Sequence, residues 1–101
     1  MNTVERTCRV DIFDDDERHR WQALRETMRA ARTDVRELPD GYAVRFGAQP
    51  ALFAQVAEWI TLERRCCAFL DFGLDWSGAE GVRLRLTGGP GVKEFLREAL
   101  A

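Results

Sequence analysis

Apolar and polar residues alternate along this chain at two spacings, and each spacing predicts one type of element. An apolar residue at every second position predicts strands over residues 7–13, 34–38, 42–46, 72–76 and 82–86. Apolar residues three and four positions apart predict helices that follow the acidic run 14–17, cover residues 51–70 and close the chain from residue 92. Turn-forming residues at 39–41 and 77–81 separate neighbouring strands, which is typical of hairpins.

The resulting order, β-α-β-β-α-β-β-α, indicates an α+β fold built as a two-layer sandwich. Because the strands alternate, the mainly antiparallel sheet has one apolar face, and we expect the helices to cover that face only. The opposite face then carries charged side chains, which are Arg9, Asp11, Arg45, Asp71, Asp75, Arg83 and Arg85. This charged face either meets solvent or forms a homodimer surface held by cross-strand charge pairs.

Length and charge narrow the class of protein. The 101 residues fit a single domain that spans residues 1–101. The 15 Lys and Arg residues nearly balance the 17 Asp and Glu residues, which argues against direct nucleic-acid binding. No apolar run approaches the ~20 residues of a membrane helix, and the first residues lack the apolar stretch of a signal peptide. We therefore expect a cytoplasmic protein that does not associate with membranes.

Three cysteines give the first indication of chemistry. Cys8 lies on the apolar face of the predicted first strand, and Cys66 and Cys67 are adjacent near the end of the predicted second helix. An odd number of cysteines without an export signal does not form a disulfide framework, so reduced thiols are the expectation.

Glu63 is a charged residue in the otherwise apolar stripe of the predicted second helix. A helical wheel places it near the centre of the apolar stripe, and the two adjacent cysteines fall on the flanks of the stripe one turn later. A buried carboxylate is costly unless it is paired, protonated or used in chemistry. Glu63 could therefore form an ion pair with Arg25 or Arg64, and the cysteines could serve as small apolar packing.

If Cys8 reaches the adjacent cysteines, three sulfurs and a carboxylate meet at one end of the core. Thiolates bind thiophilic ions such as Hg(II), Cu(I), Zn(II) or arsenite. We therefore predict a soft-metal or metalloid binding protein that uses Cys8, Cys66 and Cys67, with Glu63 as a nearby base.

Two other functions stay open at this point. A disulfide from Cys8 to Cys66 or Cys67 would make a thiol-redox-controlled regulatory or interaction protein. An enzyme that cleaves organometal bonds would hold the metal with two thiolates and protonate the leaving carbon with Glu63 or Asp71. Glu63, Cys66 and Cys67 are the candidate catalytic residues for such an enzyme, and the sequence does not decide whether the protein is an enzyme.

The segment Leu-Glu-Arg-Arg-Cys-Cys-Ala-Phe-Leu-Asp-Phe at 62–72 resembles the Glu-x-x-Cys-Cys-Pro/Ala-Phe-x-x-Phe signature of a group of small bacterial proteins. Similar segments occur as extensions of mercury-type (MerR) transcriptional regulators. Residues 7–8 and 82–88 are also similar to that group, and many of its members have proline where this chain has Ala68. The resemblance implies heavy-metal or thiol-stress handling through Cys8, Cys66 and Cys67.

Overall fold

The structure of the protein is a computed structural model that describes residues 9–101. A short 3-10 helix at Val10–Ile12 is followed by three helices and four strands. These are α1 (Asp15–Ala31), β1 (Arg32–Leu38), β2 (Gly41–Phe46), α2 (Pro50–Cys66), β3 (Asp71–Ser77), β4 (Gly81–Thr87) and α3 (Val92–Leu100). Within residues 9–101, no helix has both the length and the apolar character needed to cross a bilayer.

The four strands form one antiparallel sheet in the order β1-β2-β4-β3. The inner positions of the two central strands are buried and belong to the same core as the apolar stripes of all three helices. The predicted α+β fold with an antiparallel sheet is therefore confirmed. Alternation places Val44 and Leu84, which are partners across β2 and β4, at the centre of this core.

A local cap defines where α1 begins, and two ion pairs then hold α1 against α2. A capping box starts α1, in which the Glu17 N–H donates to Asp14 Oδ1 at 2.8 Å and the Asp14 N–H donates to Glu17 Oε1 at 3.1 Å. Along the two helices, Arg20 donates two hydrogen bonds to Glu58, at 2.8 and 2.7 Å, and Arg65 donates two to Glu17, at 2.6 and 3.5 Å. These ion pairs fix which residues of α1 face the carboxyl end of α2.

The outer face of the sheet carries the expected charge pairs. Asp75 accepts a hydrogen bond from Arg83 at 2.9 Å, and Arg85 forms an ion pair with it at 3.6 Å. Gly73 lies opposite Arg85, and a Cβ at Gly73 would collide with the guanidinium, so glycine makes room for the arginine. Cross-strand charge pairing on this face is confirmed, whereas the homodimer stays a prediction.

The strand predicted over residues 7–13 is wrong for the part that the structure describes. Residues 10–12 form a 3-10 helix, with the Ile12 N–H donating to the Arg9 carbonyl at 3.2 Å. The Arg9 N–H donates to the Cys66 carbonyl at 2.9 Å. These backbone groups are satisfied by a local turn and by the end of α2, so they do not need a neighbouring strand.

The second helix is shorter than the predicted 51–70. It ends at Cys66, and Cys67 leaves helical geometry with φ −124° and ψ 66°. A turn follows, in which the Leu70 N–H donates to the Cys67 carbonyl at 3.1 Å, and the ring of Phe69 packs edge-on against Phe95 of α3 at 5.1 Å. The turn brings the chain back to the sheet at β3, and this reversal ends the helix although residues 67–70 have no helix breaker.

Candidate functional site

The candidate site is the buried group Glu63, Cys66 and Cys67 at the carboxyl end of α2. Helical spacing places Glu63 and Cys66 on the same side, one turn apart, and the end of the helix at Cys67 turns that side chain inward as well. Their exposed fractions are 6%, 3% and 0%, in that order. One carboxylate oxygen and the two sulfurs all lie within 4.8 Å of one another.

The carboxyl of Glu63 accepts a hydrogen bond from α1. The indole Nε1–H of Trp21 donates to Glu63 Oε1 at 2.7 Å. Burial raises the pKa of Glu63, and the hydrogen bonds from Trp21 and Cys66 together with the charge of Arg25 oppose this rise. The Arg25 guanidinium lies over the Trp21 ring, 5.0 Å from its centroid. Of the two predicted ion-pair partners, Arg25 thus acts on Glu63 through its charge, while Arg64 is exposed.

The thiol of Cys66 is free and buried. Its Sγ lies 3.7 Å from Glu63 Oε1, to which the thiol donates, and 3.8 Å from Cys67 Sγ. Burial is the main cause that raises the pKa of Cys66 to about 12, and the negative charge and hydrogen bond of Glu63 add to it. The thiol is therefore protonated at neutral pH, and its proton points toward a carboxyl that can accept it.

The state of Cys67 differs from the expected set of reduced thiols. Cys67 is disulfide-bonded, whereas Cys66 is free. Cys8 lies outside the described residues, so its approach to the adjacent cysteines stays a prediction. A thiol thus lies in contact with a disulfide, which fits the redox alternative that the sequence left open.

Asp71 is not part of this group. It is exposed at the first position of β3, opposite Thr87. Among residues 9–101, the cluster of possible metal ligands consists of Glu63, Cys66 and Cys67. Glu63 is therefore the acid that lies next to the sulfurs.

Sequence reasoning missed the role of Trp21. It considered only arginines as ion-pair partners for Glu63. The signal was available in the residue type, because a buried indole N–H needs an acceptor. A buried tryptophan and a buried glutamate on two amphipathic helices are natural partners for this reason.

A metal ion at this site would need both sulfurs as thiolates, whereas the distances in the structure are those of the form with Cys67 disulfide-bonded. Two thiolates that bind one tetrahedral zinc ion at ~2.3 Å each stand ~3.8 Å apart. The Sγ atoms of Cys66 and Cys67 are 3.8 Å apart. The carboxylate of Glu63 lies within reach of the same point and supplies a third ligand or an acceptor for a thiol proton.

Comparison of the chain with protein-family models, with curated proteins and with solved structures gave no match. The resemblance of residues 62–72 to the small bacterial proteins and the MerR extensions therefore stays a prediction. The functional assignment depends on the chemistry of the site.

Replacement of Glu63 by glutamine is expected to change how stability depends on pH. Because burial raises the folded pKa of Glu63, its protonated form contributes stability below the ordinary pKa, and this contribution is lost as the pH rises through the raised value. Relative to wild type, Glu63→Gln should gain about 1.4 kcal/mol in unfolding free energy for each unit by which the folded pKa exceeds the unfolded one. Urea unfolding at mildly acidic and neutral pH measures this gain.

The matched control for this measurement is Glu26→Gln, which changes an exposed carboxylate of α1. Its unfolding free energy should follow the wild-type pH dependence. A Glu63→Gln variant that also follows the wild-type curve would show that the carboxyl does not carry a raised pKa.

The same substitution is expected to make the Cys66 thiol more reactive. Glutamine removes the negative charge that helps to raise the pKa of Cys66, so the thiolate fraction at neutral pH should increase about tenfold for each unit of decrease. Iodoacetamide labelling of the oxidised protein, followed by mass spectrometry at Cys66, measures the rate. Equal labelling rates in wild type and Glu63→Gln across the pH range would refute coupling between the carboxyl and the thiol.

Proposed function

We propose that the reduced protein binds a soft metal ion or metalloid, such as Hg(II), Zn(II), Cu(I) or arsenite, through the thiolates of Cys66 and Cys67. The observation that carries this proposal is the approach of two sulfurs and one carboxylate oxygen to within 4.8 Å of one another inside the core. A cation bound between these groups would interact favourably with the carboxylate of Glu63 and with the thiolates in a site that solvent hardly reaches.

The donor types favour a soft ion. Thiolates prefer thiophilic metals, whereas Ca²⁺ and Mg²⁺ need six or more oxygen ligands including waters. The site offers two sulfurs and one carboxyl, all nearly inaccessible to solvent. We propose Cys8 as a third sulfur ligand, a role that depends on the sequence alone because Cys8 lies outside the described residues.

Binding would be coupled to proton release. The raised pKa of Cys66 keeps this thiol protonated in the metal-free state, so a metal ion must displace the proton. Glu63 is the acceptor next to this thiol, with 3.7 Å between the carboxylate oxygen and the sulfur. Affinity should therefore rise with pH. We propose that the protein handles such ions in the reducing cytoplasm, as a binding protein.

Metal uptake by the fully reduced protein tests this function. Native mass spectrometry with Hg(II), Zn(II) and arsenite offered separately should show one tightly bound ion per chain for at least one of them. Cys66→Ser and Cys67→Ser should each weaken the affinity by orders of magnitude, because each removes one of two thiolate ligands. Circular dichroism checks that both variants keep the fold.

Asp71→Asn is the matched control, since it removes an exposed acid close in sequence to the site. It should take up the ion with wild-type affinity. Full affinity in both cysteine variants, or no stoichiometric uptake of any of the three ions by reduced wild type, would overturn the proposed function.

A second candidate function is a thiol–disulfide switch. It is favoured by the disulfide at Cys67 and by the free thiol of Cys66, whose sulfur lies 3.8 Å from that of Cys67. Because the chain has three cysteines and Cys66 is free, we propose Cys8 as the partner of Cys67. A dithiol reductant would supply two electrons and two protons, break the S–S bond and leave two thiols. The disulfide form cannot offer the Cys67 thiolate to a metal, so reduction would open the metal site.

Peptide mapping tests the switch. The protein is labelled with iodoacetamide without reductant and then digested, and we expect a cross-linked peptide that joins Cys8 to Cys67, with the label on Cys66. After dithiothreitol all three cysteines should be labelled. The Cys66→Ser variant should keep the cross-link, and Cys67→Ser should lose it. Labelling of all three cysteines without reductant, under aerobic conditions, would refute this candidate.

A further inference from the structure

A second possible binding site lies apart from the sulfurs. A cavity of about 260 Å³ opens between α1, α3 and the inner face of the sheet. Its walls are mainly apolar. They include Met28 of α1, Phe46 and Leu84 of the sheet, and Leu96 of α3. Cys66 and Cys67 do not line it, whereas Glu63 does.

The volume is sufficient for a small organic molecule. An engineered apolar cavity of ~150 Å³ in another protein holds a benzene ring. By proportion, 260 Å³ accommodates an apolar body of ~10 non-hydrogen atoms. The ligand is therefore limited to one ring with a short side chain, or to a chain of about eight carbons.

The charges at the cavity are arranged by depth. Three arginines line it, Arg25, Arg29 and Arg32, and all three are exposed, so they lie at the mouth. The acidic residue that lines the cavity is Glu63, which is buried and accepts the hydrogen bond from Trp21. Glu26 lies on the same helix but outside the lining. The mouth therefore carries three arginines, and the interior is mainly apolar except for Glu63 and the indole of Trp59.

An unpaired donor also belongs to the cavity wall. Trp59 lines the cavity and is 7% exposed, and its indole Nε1 is buried without a hydrogen-bond partner among the described residues. A buried N–H without an acceptor costs about 1–3 kcal/mol. The cavity wall therefore includes a polar donor among its apolar side chains.

We propose that this cavity binds a small amphipathic carboxylate, with its apolar body between α1, α3 and the sheet and its carboxylate at the arginines of the mouth. The arginine guanidinium groups match a carboxylate in charge and hydrogen-bonding geometry. The apolar walls match an alkyl chain or a single ring. This inference is independent of metal binding, because the sulfurs lie outside the cavity.

Octanoate is a suitable probe, and 1-octanol is its uncharged counterpart. Trp21 and Trp59 both line the cavity, so their fluorescence reports binding, and Trp76→Phe removes the signal of the exposed third tryptophan. In this background octanoate should bind saturably at one site per chain, and octanol should bind about tenfold more weakly.

Two variants test the placement of the ligand. Arg29→Met removes a cation from the mouth and keeps an unbranched apolar stem, and it should weaken octanoate by about tenfold while leaving octanol unchanged. Ala99→Phe adds bulk at an exposed position of the lining and should abolish binding of both probes. Cys66→Ser should keep octanoate affinity, so failure of the metal site and failure of the cavity are distinguishable.

Several outcomes would overturn the proposal. These are the absence of saturable octanoate binding, equal affinity for octanoate and octanol, and binding of many molecules per chain with no effect of Ala99→Phe. The proposal would also be overturned by a wild-type dimer in which the partner copy fills the cavity. Analytical ultracentrifugation would show such a dimer, and octanoate would then fail to bind.

Discussion

The hydrogen bond from Trp21 Nε1 to the Glu63 carboxyl, 2.7 Å long, is the interaction on which the candidate site depends. It satisfies a buried donor and a buried acceptor at once, and it joins the first turns of α1 to the last turn of α2. Around it, the ion pairs Arg20–Glu58 and Arg65–Glu17 hold the two helices in the register that lets the indole reach the carboxyl. A carboxyl at this depth without such a donor would be a severe cost to folding.

Glu63 lies between two regions of different chemistry. On one side are the sulfurs of Cys66 and Cys67, and on the other is the apolar cavity under α3. Together with burial, the carboxyl raises the pKa of the Cys66 thiol, which keeps this thiol protonated and unreactive. The same carboxyl lines the cavity, where the charge of Arg25 at the mouth acts on it. Glu63 thus borders both proposed sites, the metal site at Cys66 and Cys67 and the carboxylate site in the cavity.

The end of α2 decides what the two adjacent cysteines can do. Neighbouring residues within a helix point ~100° apart, which would turn the two sulfurs away from each other. Because the helix ends at Cys66 and Cys67 takes a non-helical conformation, their sulfurs come within 3.8 Å. Sequence periodicity extended the helix to residue 70, since the apolar pattern continues through Phe69 and Leu70. The turn that ends the helix depends on the packing of Phe69 against α3, which local patterns do not contain.

The sequence by itself determined the order of the helices and strands from residue 14 onward, the one-sided apolar sheet and the exceptional position of Glu63 beside the cysteines. These features follow from residue spacing within single elements, and spacing is a local property. Tertiary structure alone decided the strand order, the 3-10 helix at Val10–Ile12, the choice of Trp21 as the donor to Glu63 and the cavity with its arginine mouth. The strand order, the Trp21–Glu63 pair and the cavity join residues far apart in the chain, and the 3-10 helix is held to the end of α2 by the bond from Arg9 to Cys66. A buried polar group or an apolar surface is satisfied by whichever partner the packing of whole elements brings within reach.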